Sequence, residues 1–386
     1  MDTNNYPVTP KLHEMGTSVF SVMSQMAADY DAVNLSQGFP DFSISEELID
    51  MVHFHMKKDH NQYAPMKGLP ELRKAIKKLY LKNHSADYDA DEEITITAGA
   101  TQALFTAIST FVRENDEVII FEPAYDAYAP AIKMNGGIVK HCRMKAPDYH
   151  IDWNEVIKTV NSRTRMIIIN TPHNPTGSIL SVKDMMELQK IIEDREIVVV
   201  SDEVYEHLIF DGAEHQSAAR FPTLAERSFV IGSFGKTLHA TGWKTGYALA
   251  PAYMMKEFRK MHQYVVFAVN TPIQYAISDY LKKYPDLSDL AAFYQKKRDY
   301  FLEKIAGSRF KEIPSKGTYF QLLDYSNISK KKDTEFVKKL IKVHKLAAIP
   351  LTPFYSSNPD ELNILRFCFA KKEETIDKAA EILCKI

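Results

Sequence analysis

Short apolar runs alternate with longer amphipathic stretches along the middle of the chain. The apolar runs are predicted as β-strands, at Ile94–Thr97, Val118–Phe121, Met166–Asn170, Ile197–Ser201, Phe229–Gly232 and Tyr247–Ala250. Several are apolar throughout rather than alternating with polar residues, which is typical of strands buried on both faces. The stretches between them, such as Gln102–Arg113 and Lys183–Asp194, have the pattern of helices. The alternation predicts an α/β fold, with a mostly parallel central sheet flanked by helices.

The pattern changes near Pro285, where charged amphipathic helices become more frequent. The elements predicted beyond this point are two helices and two short strands, at Phe293–Ile305, Asp333–Val343, Tyr319–Leu323 and Ile364–Phe369. We therefore expect a large domain over residues 46–284 and a smaller α+β domain over residues 285–386. The N-terminal segment, residues 1–45, is expected to join the small domain.

Composition limits the classes of function. Of the 386 residues, 45% are hydrophobic and 25% are charged, which permits a large buried core. No apolar run reaches the roughly 18 residues of a membrane span, and the start lacks the basic and apolar regions of a secretory signal. We therefore expect a cytoplasmic protein with no membrane partner. The 48 Lys and Arg against 50 Asp and Glu give no net positive charge for nucleic acid, so small molecules are the expected partners.

Cysteine and histidine positions do not indicate a metal site. Cys142, Cys368 and Cys384 contain no C-x-x-C pair, which argues against a disulfide framework and against structural zinc. We expect all three to be core thiols. His53, His55 and His60 lack a supporting carboxylate or cysteine pattern, so no metal is expected there.

A carboxylate follows the predicted strand that ends at Ser201. Ligands of open α/β sheets bind at the carboxyl ends of strands, so Asp202 in Ser-Asp-Glu-Val-Tyr is expected to face a site. There it could keep a pyridine nitrogen protonated, which makes the ring an electron sink. The alternative is an Asp that only caps a following helix.

Two lysines, Lys236 and Lys244, follow the next predicted strand, in Ser-Phe-Gly-Lys-Thr and Gly-Trp-Lys. A lysine forms a Schiff base with an aldehyde only through its neutral amine, and a free lysine titrates near ~10.4, so its surroundings must favour the neutral form. One lysine could then bond covalently while the other offers charge to a phosphate. The alternative is two solvated surface lysines. A nucleotide-binding P-loop is disfavoured, because its spacing requires Gly where the chain has Val230.

Two turns at other strand ends offer binding groups. Gly99 separates a predicted strand from a helix expected to begin near Thr101, and the N–H groups and dipole of a helix start favour a phosphate. The segment lacks G-x-G-x-x-G, so one compact phosphate suits it better than a dinucleotide. The turn Asn170–Gly177 carries Asn side chains that can donate hydrogen bonds to an oxygen anion.

Asn-Pro-x-Gly, Ser-Asp-Glu-Val-Tyr, Ser-Phe-Gly-Lys-Thr and Gly-Trp-Lys occur in this order, together with the segments Asn34–Phe42, Asn61–Pro65 and Leu365–Ala370. Over nearly the whole chain this resembles the class I and II aminotransferases of pyridoxal 5'-phosphate (PLP) fold type I. Within them it resembles the branch of kynurenine aminotransferase and glutamine transaminase K, and most of all the bacterial methionine aminotransferases. The resemblance implies a PLP enzyme that moves the amino group of an amino acid to a 2-oxo acid by a ping-pong mechanism.

The resemblance also implies roles around the cofactor ring. Lys236 would hold PLP covalently and move the α-proton, while Asp202 would pair with the pyridine nitrogen. Tyr205 and Asn174 would hydrogen-bond the phenolic oxygen. Tyr125 would stack on the ring, and Asn170 would lie close to it.

At the two ends of the site, the resemblance implies a phosphate cradle and a carboxylate clamp. The phosphate would be held by Gly99, Ala100, Thr101, Ser233, Lys244 and the partner subunit's Tyr63, which implies a homodimer with active sites near the subunit interface. Many class I enzymes have Arg where Lys244 stands, so the phosphate would meet a point charge. Arg366 would bind the substrate α-carboxylate, with Asn174 and the backbone of Gly38.

The expected amino donor is neutral and mostly apolar. The segment Tyr264–Thr271, which in this family approaches the active site, carries no charge that could pair with a second carboxylate. Methionine is expected first, because its thioether packs well against rings, followed by aromatic amino acids, histidine, glutamine or kynurenine. Two alternatives stay open: a PLP-dependent C–S β-lyase on the same fold, and a non-catalytic phosphate-binding module.

Overall fold

The chain folds around two main β-sheets in a computed structural model that describes residues 8, 11–12, 15–357 and 362–386. The strands within these ranges are β1 (Val33–Asn34), β2 (Ile94–Thr97), β3 (Glu117–Glu122), β4 (Ile138–Arg143), β5 (Thr164–Asn170), β6 (Val198–Asp202), β7 (Ser228–Ser233), β8 (Gly246–Leu249), β9 (Lys311–Ile313), β10 (Phe320–Asp324), β11 (Leu346–Ala347), β12 (Ile349–Pro350) and β13 (Ile364–Cys368).

Helices cover both faces of the larger sheet and one side of the smaller one. Those described are α1 (Val19–Asp29), α2 (Glu46–Lys57), α3 (Pro70–His84), α4 (Ala100–Phe111), α5 (Tyr128–Met134), α6 (Trp153–Thr159), α7 (Val182–Ile192), α8 (Pro222–Ala225), α9 (Phe234–Thr237), α10 (Ala252–Val265), α11 (Thr271–Lys283), α12 (Asp289–Ile305), α13 (Asp333–His344) and α14 (Glu373–Lys385), with 3-10 turns at Ala218–Arg220, Thr241–Trp243 and Thr352–Phe354.

The larger sheet has seven strands in the order β2-β8-β7-β6-β5-β3-β4. Only β8 runs in the opposite direction to the other six strands, so the predicted mostly parallel sheet is confirmed. Every residue of β2, β3, β7 and β8 is buried, because helices cover both faces. Burying each Val or Ile side chain stabilises the fold by roughly 1.5–3 kcal/mol, which explains why apolar runs mark these strands.

All six predicted strands of this sheet are present, close to their expected bounds. The predicted Val118–Phe121, for example, is β3, and the predicted Ile197–Ser201 is β6. β4 was not predicted, because its sequence Ile-Val-Lys-His-Cys-Arg mixes apolar and charged residues. It lies at the edge of the sheet and is only partly buried, so packing does not require an apolar run there.

The smaller sheet is antiparallel, with four strands in the order β12-β13-β10-β9. The elements predicted beyond Pro285 are observed here as α12, α13, β10 and β13. β1 pairs in parallel with β11, which attaches the segment before residue 45 to the C-terminal part of the chain. The domain limits themselves stay a prediction. Residues 1–7, 9–10 and 13–14 of the expected N-terminal segment lie outside the described residues.

Two findings bear on the expectations from composition. None of the helices in the described ranges is both long and apolar enough to cross a membrane. Cys142 and Cys368 are buried, but Cys384 is exposed near the end of α14, so the expectation that all three are core thiols is wrong for Cys384. The amphipathic pattern of α14 turns that residue away from the core.

Candidate active site

A cavity of about 310 Å³ lies beside the carboxyl ends of β5, β6 and β7, between the large sheet and β13. Thirteen residues expected from the sequence line it, namely Gly38, Gly99, Ala100, Thr101, Tyr125, Asn170, Asn174, Asp202, Tyr205, Ser233, Lys236, Lys244 and Arg366. Tyr63 does not, because its side chain is 83% exposed on the surface of the chain. The fold therefore gathers groups from seven separate segments of the chain around one space.

Asp202 is the last residue of β6, and its carboxylate lies inside the cavity wall. The hydroxyl of Tyr128 donates to Oδ2 at 2.6 Å, and the N–H of Val204 donates to Oδ1 at 3.4 Å. Burial raises the pKa of Asp202 to about 6, although these two donors act in the opposite direction. Hydrogen-bonded turns rather than a helix follow Asp202, so the helix-cap alternative is wrong.

Lys236 lies in α9, the short helix that follows β7. Its Nζ donates to the hydroxyl oxygen of Tyr319 at 2.8 Å and to the carbonyl oxygen of Gly38 at 3.1 Å. Burial lowers the pKa of Lys236 to about 8, and the positive charges of Arg366 and Lys244 also lower it. The amine therefore reaches its neutral, nucleophilic form far more readily than a surface lysine. The alternative of two solvated surface lysines is wrong for Lys236, which is partly buried, whereas Lys244 is exposed and lines the cavity.

At another wall of the cavity, a helix start and a lysine face the same space. α4 begins at Ala100, directly after Gly99, whose φ of +78° places it in the left-handed region that favours glycine. A Cβ on Gly99 would lie 3.3 Å from Nζ of Lys244. A Cβ on Gly246 of β8 would lie 2.9 Å from the backbone nitrogen of Ala100. Both glycines keep a positively polarised niche open at the N-terminus of α4.

Arg366, on β13, is 1% exposed and closes the side of the cavity opposite the large sheet. Its guanidinium donates to Oδ1 of Asn174 at 2.7 Å and to the carbonyl of Ser36 at 3.2 Å, and it lies 3.8 Å from the ring centroid of Phe320. Nε is buried without a hydrogen-bond partner. Burial lowers the pKa of Arg366 to about 10, so it stays charged at neutral pH. A buried cation with neutral partners favours an anionic ligand.

The asparagines of the turn after β5 connect these groups. Asn170 Nδ2 donates to the backbone carbonyl of Asp202 at 2.8 Å, and its Oδ1 accepts the backbone N–H of Asn174 at 2.8 Å. Asn174 in turn accepts from Arg366, so a continuous chain of hydrogen bonds links Asp202 to Arg366. The turn fixes the spacing between the anionic and cationic sides of the cavity.

Two tyrosines that the sequence singled out complete the walls. Burial raises the pKa of Tyr205 well above its ordinary value, so its hydroxyl stays protonated and can donate a hydrogen bond. Tyr125 lines the cavity beside α4, and its ring contacts that of Tyr128 edge-on at 5.6 Å. The flat ring of Tyr125 provides a surface on which a planar ligand could stack.

Sequence reasoning missed two tyrosines that touch the central charged groups. Tyr128 hydrogen-bonds Asp202, and Tyr319 hydrogen-bonds Lys236. Tyr128 stands three residues after Tyr125, but α5 begins only at Tyr128, so the spacing gives no helical signal that could have found it. Tyr319 sits within a predicted strand, where an aromatic residue gives no signal of chemistry.

The segment Tyr264–Thr271, expected to approach the active site, does not line this cavity. Tyr264 is 86% exposed, and Phe267 forms an edge-on ring pair with Tyr63 at 5.3 Å on the surface. Its expected contact with substrate is therefore not made within the single chain. Across the described residues, no group of three or more His, Cys, Asp and Glu side chains has the geometry to hold a metal ion.

Comparison with known proteins gives four concordant matches. A family model described as aminotransferase class I and II matches residues 30–383. The methionine aminotransferase of Escherichia coli (strain K12) is 46% identical over 384 residues, covering 99% of each chain, and the kynurenine–oxoglutarate transaminase of Dictyostelium discoideum is 33% identical, covering 100% of this chain and 97% of that one. The crystal structure of an Escherichia coli protein with an identified methionine aminotransferase function superposes with a TM-score of 0.96 at 45% identity, covering 98% of this chain and 100% of that chain.

Proposed function

The chain belongs to the class I and II aminotransferases, and we propose that among amino donors it prefers methionine. Enzymes of this family depend on PLP and transfer an amino group from an amino acid to a 2-oxo acid. The observation that carries the proposal is a partly buried lysine of lowered pKa in a cavity with a buried carboxylate and a buried guanidinium. The charges of this cavity match the groups of the cofactor and of an amino acid.

The residues present fit PLP. The niche kept open by Gly99 and Gly246 at the start of α4, with Lys244 beside it, suits a phosphate. Asp202, a buried carboxylate without a cationic partner in hydrogen-bond contact, suits a protonated pyridine nitrogen. The phosphate group would be held by Gly99, Ala100, Thr101, Ser233 and Lys244. When bound, PLP draws electrons from the amino acid's Cα, which makes its proton removable.

Lys236 is proposed to carry the cofactor and to move the proton at Cα. Its lowered pKa makes a neutral amine accessible near pH 8, and a neutral amine is needed both to bond an aldehyde and to accept a proton. Asp202 is proposed to keep the pyridine nitrogen protonated, and the hydroxyl of Tyr205 and the amide of Asn174 to donate to the phenolic oxygen. Tyr125 would stack on the ring, and Asn170 would hold the turn that positions Asn174.

Arg366 is proposed to bind the α-carboxylate of the amino acid. Its guanidinium is held in place by Asn174, Ser36 and the ring of Phe320, and none of these partners neutralises its charge. A carboxylate with two oxygens matches the two-pronged geometry of a guanidinium. Gly38, whose backbone lies between the cavity and β10, is proposed to complete this end of the site.

The preference for methionine follows from the remaining lining of the cavity. The cations that line it are Lys236, Lys244 and Arg366, and each already has a proposed role. No further cation of the described chain is left there for the second carboxylate of aspartate, and an unpaired buried carboxylate is costly. Apolar side chains, among them Phe20 and Phe320, line the space near Arg366 and suit a thioether.

A homodimer in the cytoplasm is proposed for the working enzyme. Tyr63 and Phe267 form one exposed aromatic patch, although large aromatic side chains are usually buried or in interfaces. In a dimer, this patch would let Tyr63 reach the phosphate of the other active site, and the uncharged segment Tyr264–Thr271 would approach the substrate there.

The test compares amino donors in the purified protein loaded with PLP. We expect kcat/KM to be highest for methionine and lower for phenylalanine, kynurenine and glutamine, with aspartate last, against one fixed 2-oxo acid. The absorbance should shift from the PLP form to the pyridoxamine form when donor is added without acceptor. Lys236→Ala is the control, with a rate lower by roughly 10²-fold or more because the proton carrier is lost.

Aspartate at the top of the ranking would contradict the proposed donor. Near-normal transamination by Lys236→Ala would contradict the proposed role of Lys236. Release of pyruvate and ammonia from a cysteine conjugate without any amino acceptor would instead identify a β-lyase.

A further inference from the structure

The hydroxyl of Tyr319 stands between the amine of Lys236 and the carbonyl of Gly38. Lys236 Nζ donates to Tyr319 Oη at 2.8 Å, and Tyr319 Oη donates to the Gly38 carbonyl oxygen. The same carbonyl accepts a second hydrogen bond from Lys236 Nζ at 3.1 Å. Three polar groups from three distant parts of the chain therefore form a closed triangle at the reactive atom.

The surroundings hold this triangle in place. Tyr319 is fully buried, and its ring contacts those of Tyr205 and Tyr294. A Cβ on Gly38 would lie 2.8 Å from Cζ of Phe320, so only glycine lets this backbone approach β10 so closely. The acceptor atoms therefore have little freedom to move, whether or not the lysine is bonded to a cofactor.

The positions of the two acceptors determine the direction in which the lone pair of the neutral Lys236 amine points. A neutral amine has two N–H bonds and one lone pair, and the two acceptors Tyr319 Oη and Gly38 O engage both N–H bonds. The lone pair must then point away from both acceptors. An amine held in this way is prepared to accept a proton or to attack a carbonyl carbon without first reorienting.

We propose that Tyr319 is a positioning residue that holds the free amine of Lys236 with its lone pair available whenever the lysine is not bonded to the cofactor. This inference rests on the proposed function, in which Lys236 carries the cofactor. Tyr319 acts through the lysine and exchanges no proton with the substrate. Its hydroxyl is oriented by the Gly38 carbonyl, so its oxygen is left to accept from the lysine.

Several other groups set the charge state of Lys236, and the test must hold them constant. Those that face it from the neighbouring elements are Asp202, Tyr205, Lys244, Arg366 and Cys368. Removing the Tyr319 hydroxyl leaves the charges of Asp202, Lys244 and Arg366 in place, although Tyr205 loses its side-chain hydrogen bond to Tyr319. The ammonium form of Lys236 loses more than the neutral form when an acceptor is removed, because hydrogen bonds to charged groups are stronger.

The decisive experiment measures the reactivity of Lys236 in the full chain after removal of PLP. Competitive acetylation from pH 6 to pH 10, quantified by mass spectrometry, gives the midpoint for this one amine. For Tyr319→Phe we expect the midpoint to fall by about 0.5–1 pH unit, because the ammonium has lost an acceptor. In the loaded enzyme, the single-turnover rate with donor should fall about tenfold, with little change in donor affinity.

Tyr294→Phe is the matched control, since it removes a buried hydroxyl from a ring adjacent to Tyr319. That hydroxyl bonds Nδ1 of His239 and does not touch Lys236. Its labelling midpoint and single-turnover rate should stay at the wild-type values. Placing 3,5-difluorotyrosine at position 319 keeps the shape of the side chain and weakens its oxygen as an acceptor, so a smaller fall of the midpoint is expected even if Tyr319→Phe does not fold.

An unchanged midpoint in Tyr319→Phe, or in the difluorotyrosine protein where Tyr319→Phe does not fold, overturns the inference whatever the turnover. A midpoint that shifts equally in Tyr294→Phe also overturns it, because the effect would then be general loosening of the core. The labelling needs no cofactor, so its outcome is independent of the proposed function. Failure of the proposed function would show separately, as transamination that survives in Lys236→Ala.

Discussion

Two clusters of buried charged side chains lie side by side. They differ in whether the charged groups have ionisable or only neutral hydrogen-bond partners. In the cavity, Asp202 and Arg366 are 4% and 1% exposed, and each hydrogen-bonds only neutral groups. Behind the cavity, Glu206 accepts from His84 at 3.1 Å and from Tyr247 at 2.6 Å. Glu203, next to Asp202, accepts from Ser201 at 2.6 Å, and His215 lies 2.7 Å from it.

The pKa values of Asp202 and Glu206 are shifted in opposite directions from those of free carboxyl groups. Burial raises the pKa of Asp202 to about 6, with too little compensation from its donors. Burial also acts to raise the pKa of Glu206, but His207 and His84 outweigh it and lower the pKa to about 2. The chain thus supplies histidine partners to the structural carboxylate Glu206. Among its described residues, it supplies no oppositely charged hydrogen-bond partner to Asp202 or Arg366 in the cavity. We infer that the missing partners of Asp202 and Arg366 belong to ligands.

The largest effect on turnover in this comparison is expected for Asp202→Asn. Turnover should fall by at least roughly 10²-fold, because an amide cannot stabilise a protonated pyridine nitrogen as a carboxylate does. The Tm of the PLP-free protein at pH 7.5 should rise, since a folded-state pKa raised to about 6 means that ionised Asp202 destabilises the fold above that pH. Wild-type turnover with a lowered Tm would assign Asp202 to the structural group.

An intermediate effect is expected for Arg366→Lys, which keeps the charge of the cavity and removes the two-pronged geometry. The KM for methionine should rise about tenfold or more, with a smaller change in kcat, because one ammonium cannot reproduce the bidentate contact. Steady-state kinetics with several donors measures this split. Unchanged KM values across all donors would show that Arg366 does not bind the α-carboxylate of the substrate.

The smallest effect on turnover is expected for Glu206→Gln, the matched carboxylate-to-amide change in the structural cluster. Turnover should stay near wild type, while the free energy of unfolding falls by about 1–3 kcal/mol, because buried donors lose a charged acceptor. A lowered folded-state pKa stabilises the fold above the ordinary value of 4.5 and less as pH falls towards 2. The difference in stability from wild type, measured by denaturant unfolding, should therefore shrink below pH 4.5. A loss of turnover as large as that of Asp202→Asn would contradict the assignment of Glu206 to a purely structural cluster.

Much of the architecture could be predicted because its signals are local. Strands buried on both faces must be apolar throughout, so β5, β6 and β7 were visible as runs, and the residues at their ends followed from the fold class. The edge strand β4 was not visible, because a partly exposed strand tolerates charged residues. Cys384 was misjudged for a related reason, since the face of a terminal helix is decided by what packs against it.

By itself, the sequence determined which polar side chains stand at strand ends, and hence that Asp202, Lys236 and Asn174 face one edge of a sheet. Only the tertiary structure decided which hydrogen-bond partners these side chains have. Long-range packing places Tyr319 on Lys236 and Arg366 on Asn174, across separations of 83 and 192 residues. Such contacts depend on the shape of a close-packed interior, and no local period in the chain encodes them.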